Sequence, residues 1–204
     1  KRCYLDVRHT IRKNIQYDGI MFDTVWKRVQ IDRPKVIAIC DVSGSVSQVA
    51  RFLLLFLYSV SEIIPKVRSF AFSNYLGEVT ELFENNSAEV ALAETIKQWG
   101  SGSTDYGGAL SELERLIGHE IDHRTTVLIL GDARSNYGDS GHLALRRIHN
   151  RAKKVLWLNP EPRSFWNTGD SEMQKLGACC DRVDPCRTLN HLERIISDIA
   201  RTAA

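Results

Sequence analysis

The sequence has 204 residues, of which 43% are hydrophobic and 25% are charged, as in a globular protein with one substantial core. Its 27 Lys and Arg residues against 25 Asp and Glu residues give a formal charge of only +2, and no basic block indicates nucleic-acid binding. The longest apolar run, from Phe52 to Tyr58, is far shorter than the roughly 18 residues that a membrane-spanning helix needs.

The cysteines and the start of the chain indicate the compartment. Five cysteines without regular spacing are not typical of a disulfide framework and favour a reducing environment. No charged-then-apolar leader opens the chain, so we predict no signal peptide and a cytoplasmic location. A zinc site can be composed from Cys179, Cys180, Cys186 and His191, but no paired C-x-x-C supports it, and buried thiols are the simpler interpretation.

The first half of the chain predicts two buried strands and a buried helix. Residues 35–40 (KVIAIC) and 67–72 are short apolar runs of the kind found in strands that are covered on both faces. Between them, 46–64 is apolar on nearly every side of a helix, which predicts a helix within the core. Residues 77–83 are interpreted as an edge strand.

The second half continues the alternation of helices and strands. We predict helices over about 86–99, 105–118 and 140–151, strands over 125–130 and 153–158, and a last helix from about Thr188. This order predicts an α/β fold, with a doubly wound, mostly parallel sheet flanked by helices. Residues 1–34 do not follow the alternation, and we predict an N-terminal arm, with a strand near 24–31, that packs on the domain formed by 35–204.

Polar residues cluster at the predicted carboxyl ends of strands, where open parallel sheets bind ligands. Asp41, Ser43 and Ser45 follow the first buried strand as D-x-S-x-S, and Thr104 ends a glycine-rich turn. Asp132 follows the strand over 125–130. All of these side chains offer hard oxygen donors, the set that Mg²⁺ prefers. Helix capping explains each residue singly, but it does not require all three segments together.

These residues resemble the metal-ion-dependent adhesion site of von Willebrand factor A domains. The resemblance rests on the DVSGS motif at 41–45, on Thr104 and on Asp132, and it extends over about residues 35 to 200. Segments 25–28 (VWKR), 131–134 (GDAR) and 157–162 (WLNPEP) are similar to the CoxE-like branch of bacterial proteins.

The resemblance implies the following roles. Ser43 and Ser45 would ligate Mg²⁺, or Mn²⁺ or Ca²⁺, through their hydroxyls. Thr104 would ligate directly or through water, and Asp41 and Asp132 would act mainly through bound waters. An open metal position would then receive a carboxylate from a protein partner. Family resemblance implies a MoxR-type AAA+ ATPase or its client as that partner, in a chaperone-like role in metalloenzyme assembly or activation.

An enzymatic alternative comes from phosphatases of the haloacid dehalogenase type. They also place an Asp at the end of a first strand and bind Mg²⁺, but they need a second carboxylate two residues later, where this chain has Ser43. A hydrolase nucleophile would need a G-x-S-x-G elbow, and a P-loop would need Gly-Lys-Ser/Thr. We therefore predict no catalytic residues. Arg134 is either a charged group beside the metal or a solvated or salt-bridged arginine.

Overall fold

The computed structural model describes residues 3–14, 24–28, 35–44, 47–64, 67–136, 138–188, 191, 194–195 and 197–198. The chain divides into two compact units, Lys1–Asp32 and Arg33–Ala204. No helix in the described ranges has both the length and the apolar character needed to cross a membrane.

The first unit contains a small antiparallel sheet and one helix. Its elements are β1 (Cys3–Leu5), α1 (Val7–Asn14) and β2 (Trp26–Arg28), with Tyr4 opposite Lys27 in the β1–β2 pairing. One backbone and one side-chain hydrogen bond join α1 and its first flanking residue to the residue before β2. The Asp6 N–H donates to the Val25 carbonyl at 2.8 Å, and the Val25 N–H donates to Thr10 Oγ1 at 3.0 Å. The predicted strand near 24–31 thus pairs with β1, and its last three residues lie outside the described ranges.

The second unit is built on a six-stranded sheet with the order β5-β4-β3-β6-β7-β8. Every pairing is parallel except that of β5 with β4. The strands are β3 (Lys35–Asp41), β4 (Val67–Phe72), β5 (Leu76–Glu78), β6 (Thr125–Leu130), β7 (Lys154–Asn159) and β8 (Arg182–Pro185). The predicted doubly wound α/β fold is confirmed.

Helices cover both faces of this sheet. They are α2 (Ser47–Ile63), α3 (Thr80–Asn85), α4 (Ala88–Trp99), α5 (Tyr106–Ile117), α6 (His142–Arg151) and α7 (Met173–Gly177). Successive residues of a strand point to opposite faces, and β3 accordingly places Val36, Ala38 and Cys40 in the core under α2 to α4. Ile37 and Ile39 belong to the opposite core, with apolar side chains of α5, α6 and α7.

Two predictions about elements, and one strand that was not predicted, need comment. The edge strand predicted over 77–83 is wrong beyond Glu78, because Thr80–Asn85 is helical and Phe83 of that helix is buried in the core. The spacing of Val79 and Phe83 fits one side of a helix better than it fits a strand. β8 was not predicted. Of the helix predicted from Thr188, the described residues 191, 194, 195, 197 and 198 are helical, and Ile195 is buried.

Candidate metal site

Two aspartates lie at the point where the direction of strand order reverses. From β3 the chain proceeds to β4 on one side, and later to β6 on the other side. Asp41 is the last residue of β3, and Asp132 follows β6 after a single glycine. Parallel strands with this reversal leave a crevice at their carboxyl ends. Both predicted carboxylates therefore lie at the crevice edge of adjacent strands.

The Asp41 carboxylate is buried and only partly hydrogen-bonded. Its side chain is fully inaccessible, and its Oδ1 accepts a hydrogen bond from the Ser43 N–H at 2.9 Å. Its Oδ2 has no hydrogen-bond partner among the described residues. Burial raises the pKa of Asp41 to about 6, although hydrogen bonds from Ser43 and the Tyr106 hydroxyl lower it. A buried carboxylate of this kind favours a proton or a cation beside it.

Asp132 is in a similar environment. It is 4% exposed, and its Oδ1 accepts a hydrogen bond from the Arg134 N–H at 3.0 Å. Burial, and then the negative charge of Asp41, raise the pKa of Asp132 to about 7. The two carboxylates thus destabilise each other when both are ionised. Two unit charges about 4 Å apart repel by about 4 kcal/mol at an effective dielectric constant of about 20.

Thr104 comes to the same edge from the loop before α5. It is 4% exposed, and its Oγ1 has no hydrogen-bond partner within the described part of the chain. The Asp105 N–H donates to the Ser73 carbonyl at 2.8 Å, which fixes the loop to the end of β4. The Asn136 side-chain amide donates to the Thr104 carbonyl at 3.4 Å, which links this loop to the segment after Asp132.

Tyr106 and Gly131 hold these segments close together, and sequence reasoning did not assign either of them to the site. The fully buried Tyr106 hydroxyl accepts a hydrogen bond from the Ala133 N–H at 3.2 Å. A Cβ atom on Gly131 would overlap Tyr106 Oη and would lie 3.0 Å from Asp41 Cβ. Glycine is therefore needed for the close approach of β3, β6 and α5. The GDAR segment contains the glycine, but its contact with Tyr106 depends on tertiary packing.

Arg134 forms a salt-bridged staple and is not a free charge beside the site. Its Nε and Nη2 atoms each lie 3.0 Å from a carboxylate oxygen of Glu161, and its Nη1 lies 2.8 Å from Asp170 Oδ1. The Asn136 N–H donates to the other Asp170 oxygen at 3.2 Å. Of the two alternatives for Arg134, the structure shows the salt-bridged one. The staple holds the segment that carries Asp132 against the loop after β7.

The donor set fits a hard divalent cation. Asp41 Oδ2 and Thr104 Oγ1 are buried oxygens without partners among the described residues, and Asp132 adds a second buried carboxylate. Ser43 is 1% exposed in the same turn, whereas Ser45 lies outside the described residues. Within the described ranges, this crevice included, no three His, Cys, Asp or Glu side chains group as metal ligands do, and the cysteine-based zinc alternative gains no support.

Solved structures with low sequence identity share this fold. A von Willebrand factor type A protein from Catenulispora acidiphila aligns with a TM-score of 0.59 and 14% identity, over 82% of this chain and 42% of its own. The manganese-loaded Plasmodium vivax TRAP protein aligns with a TM-score of 0.59 and 12% identity, and the alignment covers 86% of this chain and 75% of that protein. Proximal thread matrix protein 1 from the mussel byssus, with a zinc-occupied MIDAS motif, aligns with a TM-score of 0.55 and 13% identity. The alignment covers 82% of this chain and 47% of that protein.

This fold is shared with the von Willebrand factor type A protein, and the family match over residues 1–195 shows that the chain contains a domain of that class. The described chain spans less than half of the Catenulispora and mussel proteins. Residues 1–195 match the family described as VWA domain containing CoxE-like protein, and the chain belongs to that family. No curated protein sequence matches the chain. Domains of this class are generally interaction modules without enzymatic activity.

Proposed function

We propose that this domain binds a protein partner in a manner that depends on a divalent cation, with Mg²⁺ as the ion and Mn²⁺ or Ca²⁺ as alternatives. The observation that carries the proposal is the pair of buried, unpartnered oxygens, Asp41 Oδ2 and Thr104 Oγ1, at the crevice. A buried polar atom without a partner costs about 1–3 kcal/mol, and a cation would remove that cost. Ser43, Ser45 and Asp132 would complete the set of ligands.

Some residues of the site would bind the cation, and others would hold the binding residues in place. Asp41 and Asp132 would supply the negative charge, while the serine and threonine hydroxyls would supply neutral ligands. Tyr106 and the Arg134 staple would hold the segments in place. A bound cation would offer an open coordination position that attracts a carboxylate from a partner. A phosphohydrolase of the haloacid dehalogenase type needs an acid two residues after Asp41, and this chain has Ser43 there, so we favour binding over catalysis.

Family membership supports a more specific role. We propose that the partner is a MoxR-type AAA+ ATPase or its client, and that the pair acts like a chaperone in metalloenzyme assembly or activation in the cytoplasm. These proposals extend the resemblance of the VWKR and GDAR segments to CoxE-like proteins.

The test is the affinity of the domain for a purified MoxR-type ATPase from the same genome, with Mg²⁺ and with EDTA. Because binding linkage is reciprocal, EDTA should weaken the complex by the same factor by which the ATPase tightens Mg²⁺ binding. Thr104→Ala should remove most of that difference. Thr95→Ala is the matched control, since Thr95 is equally buried but donates to the Ala91 carbonyl within α4.

Equal affinities for wild type and Thr104→Ala, with and without Mg²⁺, would contradict metal-dependent docking on this ATPase. Loss of affinity in Thr95→Ala of the same size would show that the effect comes from stability alone.

A further inference from the structure

The turn that contains Asp132 has a backbone conformation that its residues do not favour by themselves. β6 ends at Leu130, and Ala133 has a φ of 64°, in the left-handed region that alanine rarely adopts. A residue other than glycine keeps such a conformation only where the surrounding structure determines it. Ala133 is fully buried, so the contacts that hold this turn come from the protein itself.

Two side chains of β7 supply such contacts. Trp157 Nε1 donates to the Gly131 carbonyl at 2.8 Å. Asn159 Nδ2 donates to the next carbonyl, that of Asp132, at 3.0 Å. Because the two donors are two residues apart on a strand, they project from the same face of the sheet. They therefore hold the chain beyond the last residue of β6 that pairs with β7.

Asn159 is fully buried, and its amide contacts show what it does. Its Oδ1 accepts a hydrogen bond from the Glu161 N–H at 2.7 Å. Its Nδ2 also lies 3.3 Å from Met173 Sδ, but a thioether is a weak acceptor. An apolar side chain of the same size would pack beside Met173 without the cost of burying an amide. The strong hydrogen bonds of Asn159 thus join the Asp132 turn to the loop after β7.

These hydrogen bonds close a ring of contacts around Asp132. The Glu161 carboxylate binds the Arg134 guanidinium, with two N–O distances of 3.0 Å. The Arg134 N–H in turn donates to Asp132 Oδ1 at 3.0 Å. Asn159 therefore holds the Asp132 backbone directly and, through the other two residues of the ring, the carboxylate as well.

We infer that Asn159 is a positioning residue for the candidate cation site, an inference that rests on the proposed function. It acts through Asp132 and needs no contact with the ion. The ring keeps the Asp132 carboxylate in one orientation at the crevice edge, next to the strand that ends at Asp41. A carboxylate that is already oriented loses less conformational freedom when it binds a cation, and the cation is therefore bound more tightly.

The first experiment compares the Mg²⁺ affinities of wild type and Asn159→Leu by calorimetric titration. Leucine keeps the approximate size of the side chain and removes both strong hydrogen bonds. Residues that orient metal ligands typically change metal affinity about 10- to 100-fold, so Asn159→Leu should bind Mg²⁺ at least about tenfold more weakly. Met173→Leu, which removes only the weak contact of the same amide, should change the affinity less than about twofold.

A further control separates positioning from stability. Thr95 is buried on α4 and donates to the Ala91 carbonyl within that helix. Thr95→Ala should lower the midpoint of urea unfolding, as Asn159→Leu does, but it should leave the Mg²⁺ affinity unchanged. In the metal-free domain, Asn159→Leu should also shift the ¹⁵N–¹H signal of Arg134, whose N–H donates to Asp132 Oδ1. Thr95→Ala should not shift that signal.

A second pair of variants decides the question if Asn159→Leu does not fold. Glycine adopts the left-handed conformation at position 133 without strain, so Ala133→Gly should raise the midpoint of urea unfolding. Combined with Asn159→Leu, it should give a folded domain without restoring Mg²⁺ binding. The Mg²⁺ affinity of the double variant should stay at least about tenfold below that of Ala133→Gly alone.

Equal Mg²⁺ affinities in either pair that differs only at Asn159 would overturn the inference, because a contact that only stabilises the fold does not change the affinity of folded molecules. Failure of the proposed function would look different. Weaker Mg²⁺ binding in Asn159→Leu, with partner binding that EDTA does not alter, would support the positioning role and refute metal-dependent docking. A wild-type domain that binds none of Mg²⁺, Mn²⁺ and Ca²⁺ would overturn both proposals.

Discussion

The two buried carboxylates predict that metal binding and the stability of the metal-free domain depend on pH in opposite directions. The pKa values of Asp41 and Asp132 are raised from 3.8 to about 6 and about 7 by burial. Both are ionised at pH 8, whereas at pH 6 about half of Asp41 and about one Asp132 in ten are ionised. Because a cation competes with these protons, Mg²⁺ affinity should fall roughly 20-fold from pH 8 to pH 6.

The metal-free domain should show the reverse dependence. A carboxyl whose pKa is raised in the folded state binds more protons when folded, so its contribution to stability falls as pH rises from about 4 to about 7. Across that window the loss should be roughly 3 kcal/mol for Asp41 and roughly 4 kcal/mol for Asp132. In EDTA the free energy of unfolding should therefore be lower at pH 7.5 than at pH 5.5, and saturating Mg²⁺ should restore it.

The assay combines calorimetric Mg²⁺ titrations at pH 6, 7 and 8 with urea unfolding in EDTA. Asp132→Asn removes the group that titrates near pH 7, and it should flatten the stability curve between pH 6 and 8. An Mg²⁺ affinity that stays constant from pH 8 to pH 6 would refute the reasoning, because no proton would then compete at the site.

Three substitutions test the supporting residues. Asp41→Asn should weaken Mg²⁺ binding about 10- to 100-fold in calorimetry, with a metal-free stability equal to or above that of wild type, and a large loss in EDTA would instead make Asp41 a structural anchor. Gly131→Ala should lower the free energy of unfolding in urea by about 1–3 kcal/mol because its Cβ meets Tyr106, whereas Gly177→Ala, with its nearest neighbour at 3.4 Å, should change it far less. Arg134→Met should cost about 2 kcal/mol in the same assay by removing charged hydrogen bonds, and a change under about 0.5 kcal/mol would show that the staple is not structural.

The sequence predicts those parts of the fold and site that depend on local features, such as apolar runs and a glycine-rich turn. The apolar runs that end at Asp41 and just before Asp132 predict buried parallel strands, and the rule for strand ends then brings both carboxylates to one edge. Thr104 was predicted from the glycine-rich turn before α5. The structure places Asp41, Ser43, Thr104 and Asp132 in the crevice segments, while the ligand role of each remains a prediction.

The parts that were missed depend on tertiary contacts. β8 contains only one aliphatic residue, Val183, and lies at the sheet edge, so its pairing with β7 comes from position in the fold and not from an apolar run. In the sequence, nothing distinguishes Tyr106 from any other apolar residue at the start of a helix. Its role comes from contact with Gly131, which is distant in sequence.

The most direct test of the central claim is to locate the site at which a divalent cation binds. Mn²⁺ added at substoichiometric amounts to the ¹⁵N-labelled domain should broaden the amide signals around Asp41, Thr104 and Asp132, because paramagnetic relaxation falls steeply with distance. Excess Mg²⁺ should restore those signals. Broadening that centres elsewhere, or that Mg²⁺ does not reverse, would contradict a divalent cation site formed by these residues.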